Sequence, residues 1–349
     1  MDGTAILLCE GAFDSPGGKT THGLVRHTKR YKVLAVIDSN FAGLDAGEFL
    51  DARPNGIPIV ASLQDGMLQT GTKPDYLVIG VATDGGFLPP EFRPIVLEAL
   101  RMGINVDSGL HHWLGDDEEF RSAAAAHGAH IRDIRCSPSP AQLHFFTGKI
   151  RDVRARKICV LGIDSACGKR TTAVLLTQEL ERAGISTVFI GTGQTAWFQG
   201  AEYCMILDAM INDFITGEIE HLIWTADREK SPDVIIVEGQ GSLTHPAYPA
   251  GYELLAGAAP EGIIYQVAPG RLYYDGFPEY HLPAPDNELQ IIDLIRPGSL
   301  LGFAINGENL RCEAIRSVSE ELEKRYGLPA CNPLTQGCGA FVPPIRRLL

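Results

Sequence analysis

The sequence predicts an α/β protein with two domains, each built around a mostly parallel sheet. Its 349 residues exceed the roughly 250–300 over which a single hydrophobic core usually grows. Short apolar runs alternate with helix-like stretches in both halves of the chain, which is the pattern of successive βαβ units. In the second half, one apolar run leads into a glycine-rich loop with a lysine and then into helical residues. Together these observations predict the fold class.

The first half is predicted to be a Rossmann-like domain, although it contains no Gly-x-Gly-x-x-Gly sequence. Its apolar runs predict strands at residues 5–9, 32–37, 57–61, 76–81 and 104–106. Helix-like stretches occupy residues 21–27, 90–102 and 118–127. Two prolines within residues 136–140 disfavour helix and strand interiors alike, so we place the hinge within residues 136–156. The predicted domains are therefore residues 1–145 and 146–349.

The second half is predicted to be a P-loop NTPase-like domain. Its apolar runs predict strands at residues 158–161, 187–190, 234–237, 263–267 and 301–305, and helices are predicted at residues 171–183 and 312–326. The run from Val234 to Val237 contains no polar residue, as expected of a central strand that is covered on both faces. The glycine-rich loop at residues 162–168 directly follows the first of these strands.

Composition and charge argue against several classes of protein. A net charge of −13 disfavours binding to nucleic acid or to anionic membranes, because both require a basic face. No stretch reaches the ~18 apolar residues of a membrane-spanning helix, and the first residues lack the pattern of a secretory signal. The eight cysteines form no Cys-x-x-Cys pair, and several lie in apolar runs, which favours reduced, buried thiols over metal ligands. We therefore expect a cytoplasmic protein with a small-molecule substrate.

Residues 162–172 read Gly-Ile-Asp-Ser-Ala-Cys-Gly-Lys-Arg-Thr-Thr, which is the chemistry of a phosphate loop. Glycines let backbone N–H groups converge, the start of the helix adds a positive dipole end, and Lys169 adds a full charge. The predicted cofactor-binding residues here are Gly162, Asp164, Gly168, Lys169, Arg170, Thr171 and Thr172. The alternative is an ordinary corner between a strand and a helix, with a chance Gly-Lys pair.

The loop departs from the common spacing of P-loops. Five residues, rather than four, separate Gly162 from Gly168, and Arg170 stands where Ser or Thr normally follows the lysine. The hydroxyl that would hold Mg²⁺ is displaced by one residue. We therefore expect phosphate binding to persist, nucleotide hydrolysis to be disfavoured, and Mg²⁺ to be possible but not required.

Further polar residues follow other predicted strands at the same edge of the sheet. Glu238 ends the central strand and could hold a metal, act as a base or orient a water, or it could only cap the next turn. Gln194 lies in a Gly-Thr-Gly-Gln turn and could either hydrogen-bond a ligand or simply complete the turn. His245 follows Glu238 closely, and both a catalytic and a structural role are open.

The first half contains a loop of similar composition at residues 11–23, which includes Gly-Lys-Thr-Thr. One interpretation is a second anion site, in which Lys19 contacts substrate carboxylates or part of a cofactor. The other is a glycine-rich turn in a duplicated fold. Both interpretations remain open at this stage.

Two resemblances arise from these motifs. Two segments of the second half are similar to motifs of dethiobiotin synthetase and its relatives. They are Gly162-Ile-Asp164…Gly168-Lys169 and Val237-Glu238-Gly-Gln-Gly241. Over nearly the whole chain, the sequence resembles a bacterial and archaeal family with an N-terminal Rossmann-like domain and a C-terminal P-loop domain. The matching segments are Gly18-Lys-Thr20, His22-Gly-Leu24, Ser108-Gly-Leu-His111, Asp164…Gly168-Lys-Arg-Thr-Thr172, Gly193-Gln-Thr195, Val237-Glu-Gly-Gln-Gly-Ser242, His245-Pro-Ala-Tyr248 and Gly276-Phe-Pro278.

Members of this family are D-glutamate N-acetyltransferases, so the resemblance implies acetyl transfer from acetyl-CoA to the amino group of an acidic amino acid. Such a reaction needs a base, donors for an oxyanion and cations for two carboxylates. As base we name Glu238 or His245, and as oxyanion donors the backbone N–H groups near residues 239–241. The residues expected to bind the substrate are Gln240, Arg271, Arg228 or Lys230, and Lys19.

Two other functions compete with acetyl transfer. An ATP-dependent ligase or kinase of the dethiobiotin synthetase type would use Asp164 and Glu238 for Mg²⁺. A nucleotide-sensing module would bind without turnover. We further expect a homo-oligomer, because residues 254–259 are apolar enough for an interface, although a buried helix would explain them equally well.

Overall fold

The computed structural model covers residues 1–349 and describes all of them except the side chain of Asp84. The chain divides into two compact units. The first consists of Met1–Ser137 with Gln194–Ala201, and the second of Pro138–Gly193 with Glu202–Leu349. The division after Ser137 falls within the range that the sequence gives for the hinge. The return of residues 194–201 to the first unit is a feature that the sequence pattern does not indicate.

The first unit contains a six-stranded, fully parallel sheet in the order β3-β2-β1-β4-β5-β6. This order is that of a Rossmann fold, in which the direction of winding reverses between β1 and β4. The Rossmann-like domain predicted from the alternation of strands and helices is therefore confirmed. The strands are β1 (Gly3–Leu8), β2 (Tyr31–Ile37), β3 (Ile59–Val60), β4 (Tyr76–Ile79), β5 (Asn105–Ser108) and β6 (Ile131–Asp133).

The helices of the first unit are α1 (Lys19–Arg26), α2 (Ala46–Asp51), α3 (Leu63–Thr70), α4 (Arg93–Arg101) and α5 (Glu118–His127). Helix α5 shows how local sequence sets the ends of an element. The side chain of Asp117 accepts hydrogen bonds from the N–H groups of Glu119 and Phe120, and Gly128 ends the helix in the left-handed conformation. The predicted helix at 90–102 instead begins as a single 3-10 turn at Pro90–Phe92, which passes directly into α4.

The second unit contains a seven-stranded parallel sheet in the order β15-β14-β11-β7-β10-β8-β9 and a separate antiparallel hairpin of β12 and β13. All five predicted strands are present. The strands are β7 (Arg156–Gly162), β8 (Thr187–Gly191), β9 (Tyr203–Cys204), β10 (Val234–Glu238), β11 (Gly262–Val267), β12 (Tyr273–Tyr274), β13 (Phe277–His281), β14 (Leu300–Ile305) and β15 (Ala330–Cys331). Strand β10 lies between β7 and β8 and is fully buried, as its apolar sequence predicts.

Helices cover both faces of this sheet, because alternate residues of each strand point to opposite sides. Along β7, Cys159 and Leu161 join one buried cluster, and Ile158 and Val160 join another on the opposite face. The helices in this part of the chain are α6 (Lys169–Arg182), α7 (Gln194–Phe198), α8 (Asn212–Lys230), α9 (Gly251–Ala258), α10 (Pro285–Ile295), α11 (Cys312–Tyr326) and α12 (Val342–Arg346). The P-loop fold predicted for this half is confirmed.

Two of these helices bear on predictions from the sequence. The apolar residues of α9, among them Leu254 and Leu255, are buried in the core of the second unit, so they do not support an interface. Helix α7 belongs to the first unit, where the guanidinium of Arg30 lies 3.8 Å from the ring centre of Trp197 and Phe198 is fully buried. Among the residues that the structure describes, no helix has the length and apolar character needed to span a membrane.

Candidate functional site

The candidate site lies in the second unit, where the carboxyl ends of β7, β8, β10 and β11 meet at one edge of the sheet. We call this the carboxyl edge. Ligands of open α/β sheets bind at such edges, because the loops that leave parallel strands converge there. The loop after β7 is the predicted phosphate loop, and Glu238 is the last residue of β10.

The phosphate loop joins β7 to α6 in a conformation that requires small residues. Gly168 has a φ of +105°, which favours glycine, and a Cβ atom on Gly162 would lie 2.7 Å from the carbonyl oxygen of Gln266. Gly168 is also the N-cap of α6, so no side chain occupies the N–H groups of the first helical turn. These N–H groups and the positive end of the helix dipole form a site suited to an anion.

The side chain of Lys169 folds back over this loop. It is buried, its ammonium group donates to the carbonyl oxygen of Asp164, and it lies 3.7 Å from the sulfur of Cys167. Its aliphatic part approaches Gly239, where an added Cβ would come within 3.0 Å of its Cδ. Lys169 therefore stands between the phosphate loop and the residues that follow β10.

Asp164 is fully buried and is held by several donors. Its Oδ2 accepts from Nη1 of Arg271 at 2.7 Å and from the N–H of Asp275 at 3.0 Å, and its Oδ1 lies 3.5 Å from Nε2 of His245. Burial raises the pKa of Asp164, but the nearby imidazole of His245 and the guanidinium of Arg271 outweigh burial and hold that pKa below its ordinary value. Asp164 is therefore an ionised anchor of the loop.

Arg271 has a different role from the one predicted for it. Besides Asp164, its guanidinium contacts the carbonyl oxygens of Ser165 at 2.9 Å and Ala166 at 3.3 Å, and it binds Glu308 through Nη2 at 2.7 Å and Nε at 2.9 Å. These contacts engage the donors that an arginine offers. The side chain is only 10% exposed. Arg271 therefore holds the phosphate loop in place and is not available to bind substrate carboxylates.

Glu238 is buried beside the two basic residues of the loop. Its Oε2 accepts from the N–H of Thr192 at 2.9 Å. Burial raises the pKa of Glu238, and the positive charges of Arg170 and Lys169 offset only part of that effect. A carboxyl group with a raised pKa is a better proton acceptor than an exposed one, so the geometry keeps Glu238 as the candidate base.

Gln240 reaches the same region from the turn after β10. Its Nε2 donates to Oγ1 of Thr192 at 3.1 Å, and Oγ1 of Thr192 donates to the carbonyl oxygen of Glu238 at 3.0 Å. The three residues thus form a chain that fixes the end of β10 against the end of β8. Thr192 is a site residue that the sequence prediction missed, although it follows β8 directly in a Gly-Thr-Gly turn.

His245 is fully enclosed and organises a turn. Its Nδ1 accepts from the N–H groups of Ala247 at 3.1 Å and Tyr248 at 3.0 Å, so the proton resides on Nε2, which faces Asp164. The rings of Tyr248 and Tyr274 each lie 4.8 Å from the imidazole, centre to centre. Because the lone pair of Nδ1 is engaged, this arrangement does not support the predicted role of His245 as a base.

Two side chains near the phosphate loop that could serve Mg²⁺ in a nucleotide-hydrolysing enzyme are bound to other protein groups. Thr172 donates from Oγ1 to Oε1 of Gln266 at 2.5 Å, and Asp164 is bound to Arg271. Gln266 is a polar residue within an otherwise apolar strand, which is the sequence signal by which it could have been found. Within the described part of the chain, no three His, Cys, Asp or Glu side chains are grouped as metal ligands would be.

Two predicted residues lie away from the carboxyl edge. Arg228 is in the last turn of α8, where neighbouring Asp227 binds the N–H groups of residues 154 and 155 just before β7 begins, so Arg228 is at the opposite edge of the sheet. Lys230, in the same turn, pairs with Glu202 at 2.7 Å. Neither basic residue is therefore placed to bind a substrate at the carboxyl edge.

Gln194 and Lys19 both belong to the first unit. The side chain of Gln194 is packed against Gly109 of the same unit, where an added Cβ would meet its Oε1. Lys19 is exposed and is the first residue of α1.

The loop that precedes Lys19 is wound into consecutive turns. The N–H groups of Ala12, Ser15 and Gly18 donate to carbonyl groups of the loop itself, and that of Phe13 donates to Asp38 at 3.0 Å. Since these N–H groups already have partners within the protein, they do not converge on an anion. The geometry favours a glycine-rich turn over a second phosphate site.

Fold and site together define a class: a protein with a Rossmann-like unit and a P-loop unit. Within that class, the chain belongs to the DUF1611 family. Its residues 144–342 match the model described as "Domain of unknown function (DUF1611_C) P-loop domain", and residues 39–137 match the "DUF1611_N Rossmann-like domain". The family membership predicted from the motifs is confirmed.

Relatives of known name and structure agree with this assignment. The chain is 33% identical over 273 residues to a protein of Tritonibacter scottomollicae, covering 76% of this chain and 79% of the relative. It is 31% identical over 272 residues to a protein of a Pseudoalteromonas species, with the same two shares. Both relatives are named D-glutamate N-acetyltransferase. A crystal structure of a DUF1611 family protein from Anabaena variabilis is similar over 99% of both chains, with a TM-score of 0.89 and 26% identity.

Proposed function

We propose that this protein is an N-acetyltransferase that moves the acetyl group of acetyl-CoA to the amino group of D-glutamate. The names of its relatives support an enzyme of this kind at the level of the family. One observation in the structure favours binding of an acyl carrier over hydrolysis of a nucleotide. The phosphate loop is intact, but Arg271 binds its Asp164 and Gln266 binds its Thr172.

Coenzyme A carries a pyrophosphate and a 3′-phosphate that need to be bound but not cleaved. The N-terminus of α6, Lys169 and Arg170 supply positive charge for such groups. No metal ion is required for this task, because nothing in the reaction transfers a phosphoryl group. In an ATP-dependent ligase or kinase, by contrast, Mg²⁺ must neutralise charge that develops on the transferred phosphoryl group.

The chemical step needs a base next to the acyl group. The substrate ammonium gives one proton to Glu238, and the neutral amine then attacks the thioester carbonyl. A C–N bond forms, the C–S bond breaks, and the second proton leaves with the thiolate as free coenzyme A. Backbone N–H groups of residues 239–241 are the proposed donors to the oxyanion.

Thermal shift and product analysis test the proposal together. We expect acetyl-CoA to raise the melting temperature in the presence of EDTA, and ATP with Mg²⁺ to have no comparable effect. Mass spectrometry should then detect N-acetyl-D-glutamate after incubation with acetyl-CoA and D-glutamate. Stabilisation by ATP with Mg²⁺ alone, with no acetylated product, would instead support the ligase or kinase.

A further inference from the structure

The hydrogen bonds around Thr192 determine which way the amide of Gln240 points. Oγ1 of Thr192 has one proton, which it donates to the carbonyl oxygen of Glu238 at 3.0 Å. That hydroxyl can therefore only accept from Gln240, so the NH₂ group of the amide faces Thr192 at 3.1 Å. The amide oxygen consequently faces away from Thr192, and it has no hydrogen-bond partner among the residues that the structure describes.

The amide of Gln240 and the carboxyl group of the candidate base are bound to the same residue, Thr192. Glu238 and Gln240 are each one hydrogen bond from Thr192, the first through the N–H group at 2.9 Å and the second through the hydroxyl. Gln240 is half-buried and covers Gly193, where an added Cβ would lie 2.7 Å from its Nε2. The position thus offers an oriented acceptor and a carboxylate to a group that carries several N–H donors.

We propose that Gln240 recognises the amino group of the acceptor substrate through Oε1, and that Thr192 is the positioning residue that orients it. This inference rests on the proposed acetyl transfer and adds that the amino group of the substrate lies between Gln240 and Glu238. An ammonium group has three N–H donors, of which one gives its proton to Glu238 and another donates to Gln240. The amide suits this role because it carries no charge. A carboxylate at this position would raise the pKa of Glu238, so the base would ionise only at a higher pH.

Kinetics with two substrates and one inhibitor test the assignment. Gln240→Met keeps the length of the side chain but removes the acceptor, and we expect the KM for D-glutamate to rise about 10- to 100-fold, as for loss of a hydrogen bond to a charged group. The KM for acetyl-CoA should stay within about twofold of wild type. Glutarate, which is D-glutamate without its amino group, should inhibit both proteins with the same Ki.

A pair of variants at Thr192 separates an effect on the orientation of Gln240 from an effect on folding. Thr192→Val is nearly the same size as threonine and removes the hydroxyl, so we expect the KM for D-glutamate to rise about 3- to 10-fold, since a misdirected amide still presents its oxygen part of the time. Thr192→Ser restores the hydroxyl and should return this KM towards the wild-type value. A loss caused only by unfolding would lower the melting temperature and affect both substrates alike.

Two results would overturn the inference while leaving acetyl transfer intact. One is a Gln240→Met protein with an unchanged KM for D-glutamate, and the other is an equal rise in the Ki of glutarate, which would place Gln240 on a carboxylate. Failure of the wild-type protein to acetylate D-glutamate would overturn the proposed function itself, and the inference with it. The wild-type assay therefore distinguishes the two failures before any variant is examined.

Discussion

Arg271 donates from Nη1 to Oδ2 of Asp164 across 2.7 Å, and this bond ties the loop after β11 to the phosphate loop. Asp164 is fully buried, so its charge depends on this partner. The same arginine also binds carbonyl oxygens at Ser165 and Ala166. The conformation of the phosphate loop is thus set by a residue more than a hundred positions away in sequence.

Removing this arginine should destabilise the second unit. For Arg271→Met we expect a loss of about 3–5 kcal/mol in the free energy of unfolding, because a buried carboxylate loses its counter-ion. The lowered pKa of Asp164 means that this contribution is present above the unfolded-state pKa of about 3.9 and disappears as pH falls through the folded-state value. Urea denaturation at several pH values measures the loss.

Two controls accompany that measurement. Arg182→Met removes an exposed arginine whose pair with Glu179 lies at the surface of α6, and it should change stability by less than about 1 kcal/mol. The double variant Asp164→Asn with Arg271→Met should recover part of the loss, because no buried charge is left unpaired and Glu308, the other partner of Arg271, is exposed to water. Equal stability of Arg271→Met and wild type would contradict the anchoring role.

Glu238 should be required for activity, and its buried carboxylate should lower the free energy of unfolding. For Glu238→Gln we expect kcat to fall about 10²- to 10⁴-fold, the usual contribution of a general base. Its raised pKa means that the folded state favours the protonated acid, so the stability of wild type falls as pH rises above the unfolded-state pKa of about 4.3, and the loss is complete above the folded-state pKa. Glu238→Gln should therefore be more stable than wild type at neutral pH, and the difference should vanish in acid.

The pH dependence of kcat/KM in wild type is a second test of Glu238 as the base. The kcat/KM for D-glutamate should rise with pH through an apparent pKa above about 4.3, the value of an unperturbed glutamate. Glu181→Gln, on the exposed face of α6, is the matched control and should keep the wild-type profile. Two results would argue against Glu238 as the base. One is a Glu181→Gln protein whose activity no longer rises with pH, and the other is a Glu238→Gln protein whose residual activity still does.

His245 should prove structural. His245→Ala removes an imidazole that accepts two backbone N–H groups and packs against Tyr248 and Tyr274, so we expect about 2–4 kcal/mol of destabilisation. The kcat of the folded fraction should stay within about tenfold of wild type, with an unchanged pH profile. His281→Ala, on the exposed hairpin, provides the control. A selective loss of kcat with normal stability would restore His245 as a base.

Lys169 should be needed for binding of the acyl donor. Its ammonium group rests on the carbonyl oxygen of Asp164, so it is placed on the phosphate loop before any ligand arrives. For Lys169→Met we expect the Kd for acetyl-CoA to rise at least about 10-fold, since hydrogen bonds to charged groups contribute about 1.5–3 kcal/mol. Calorimetry in EDTA measures this. Lys324→Met, on the exposed face of α11, should bind acetyl-CoA as wild type does.

The sequence was sufficient for the fold and for the position of the site, because both depend on local patterns. The apolar run at residues 234–237 and the glycines of the phosphate loop specify their own conformations, and parallel strands bring their ends together. The partners of these residues depend on tertiary contacts that no local pattern encodes. Arg271 looked like a substrate ligand by residue type, yet its donors serve the phosphate loop.

Residue type and position after a strand were also insufficient to place two other predicted residues. Arg228 lies in the last turn of α8, which runs back to the start of the next strand, so this residue is at the edge of the sheet opposite the carboxyl edge. Gln194 follows a strand of the second unit, but its helix packs with the first unit through Trp197 and Phe198. A rule based on strand ends cannot detect a segment that crosses to another core.

One product measurement tests metal-independent acetyl transfer most directly. Wild-type protein is incubated with acetyl-CoA, D-glutamate and EDTA, and mass spectrometry quantifies N-acetyl-D-glutamate and free coenzyme A. We predict equal amounts of both products without any divalent metal ion. Absence of acetylated product, together with consumption of ATP when Mg²⁺ and a carboxylate substrate are supplied, would contradict the account.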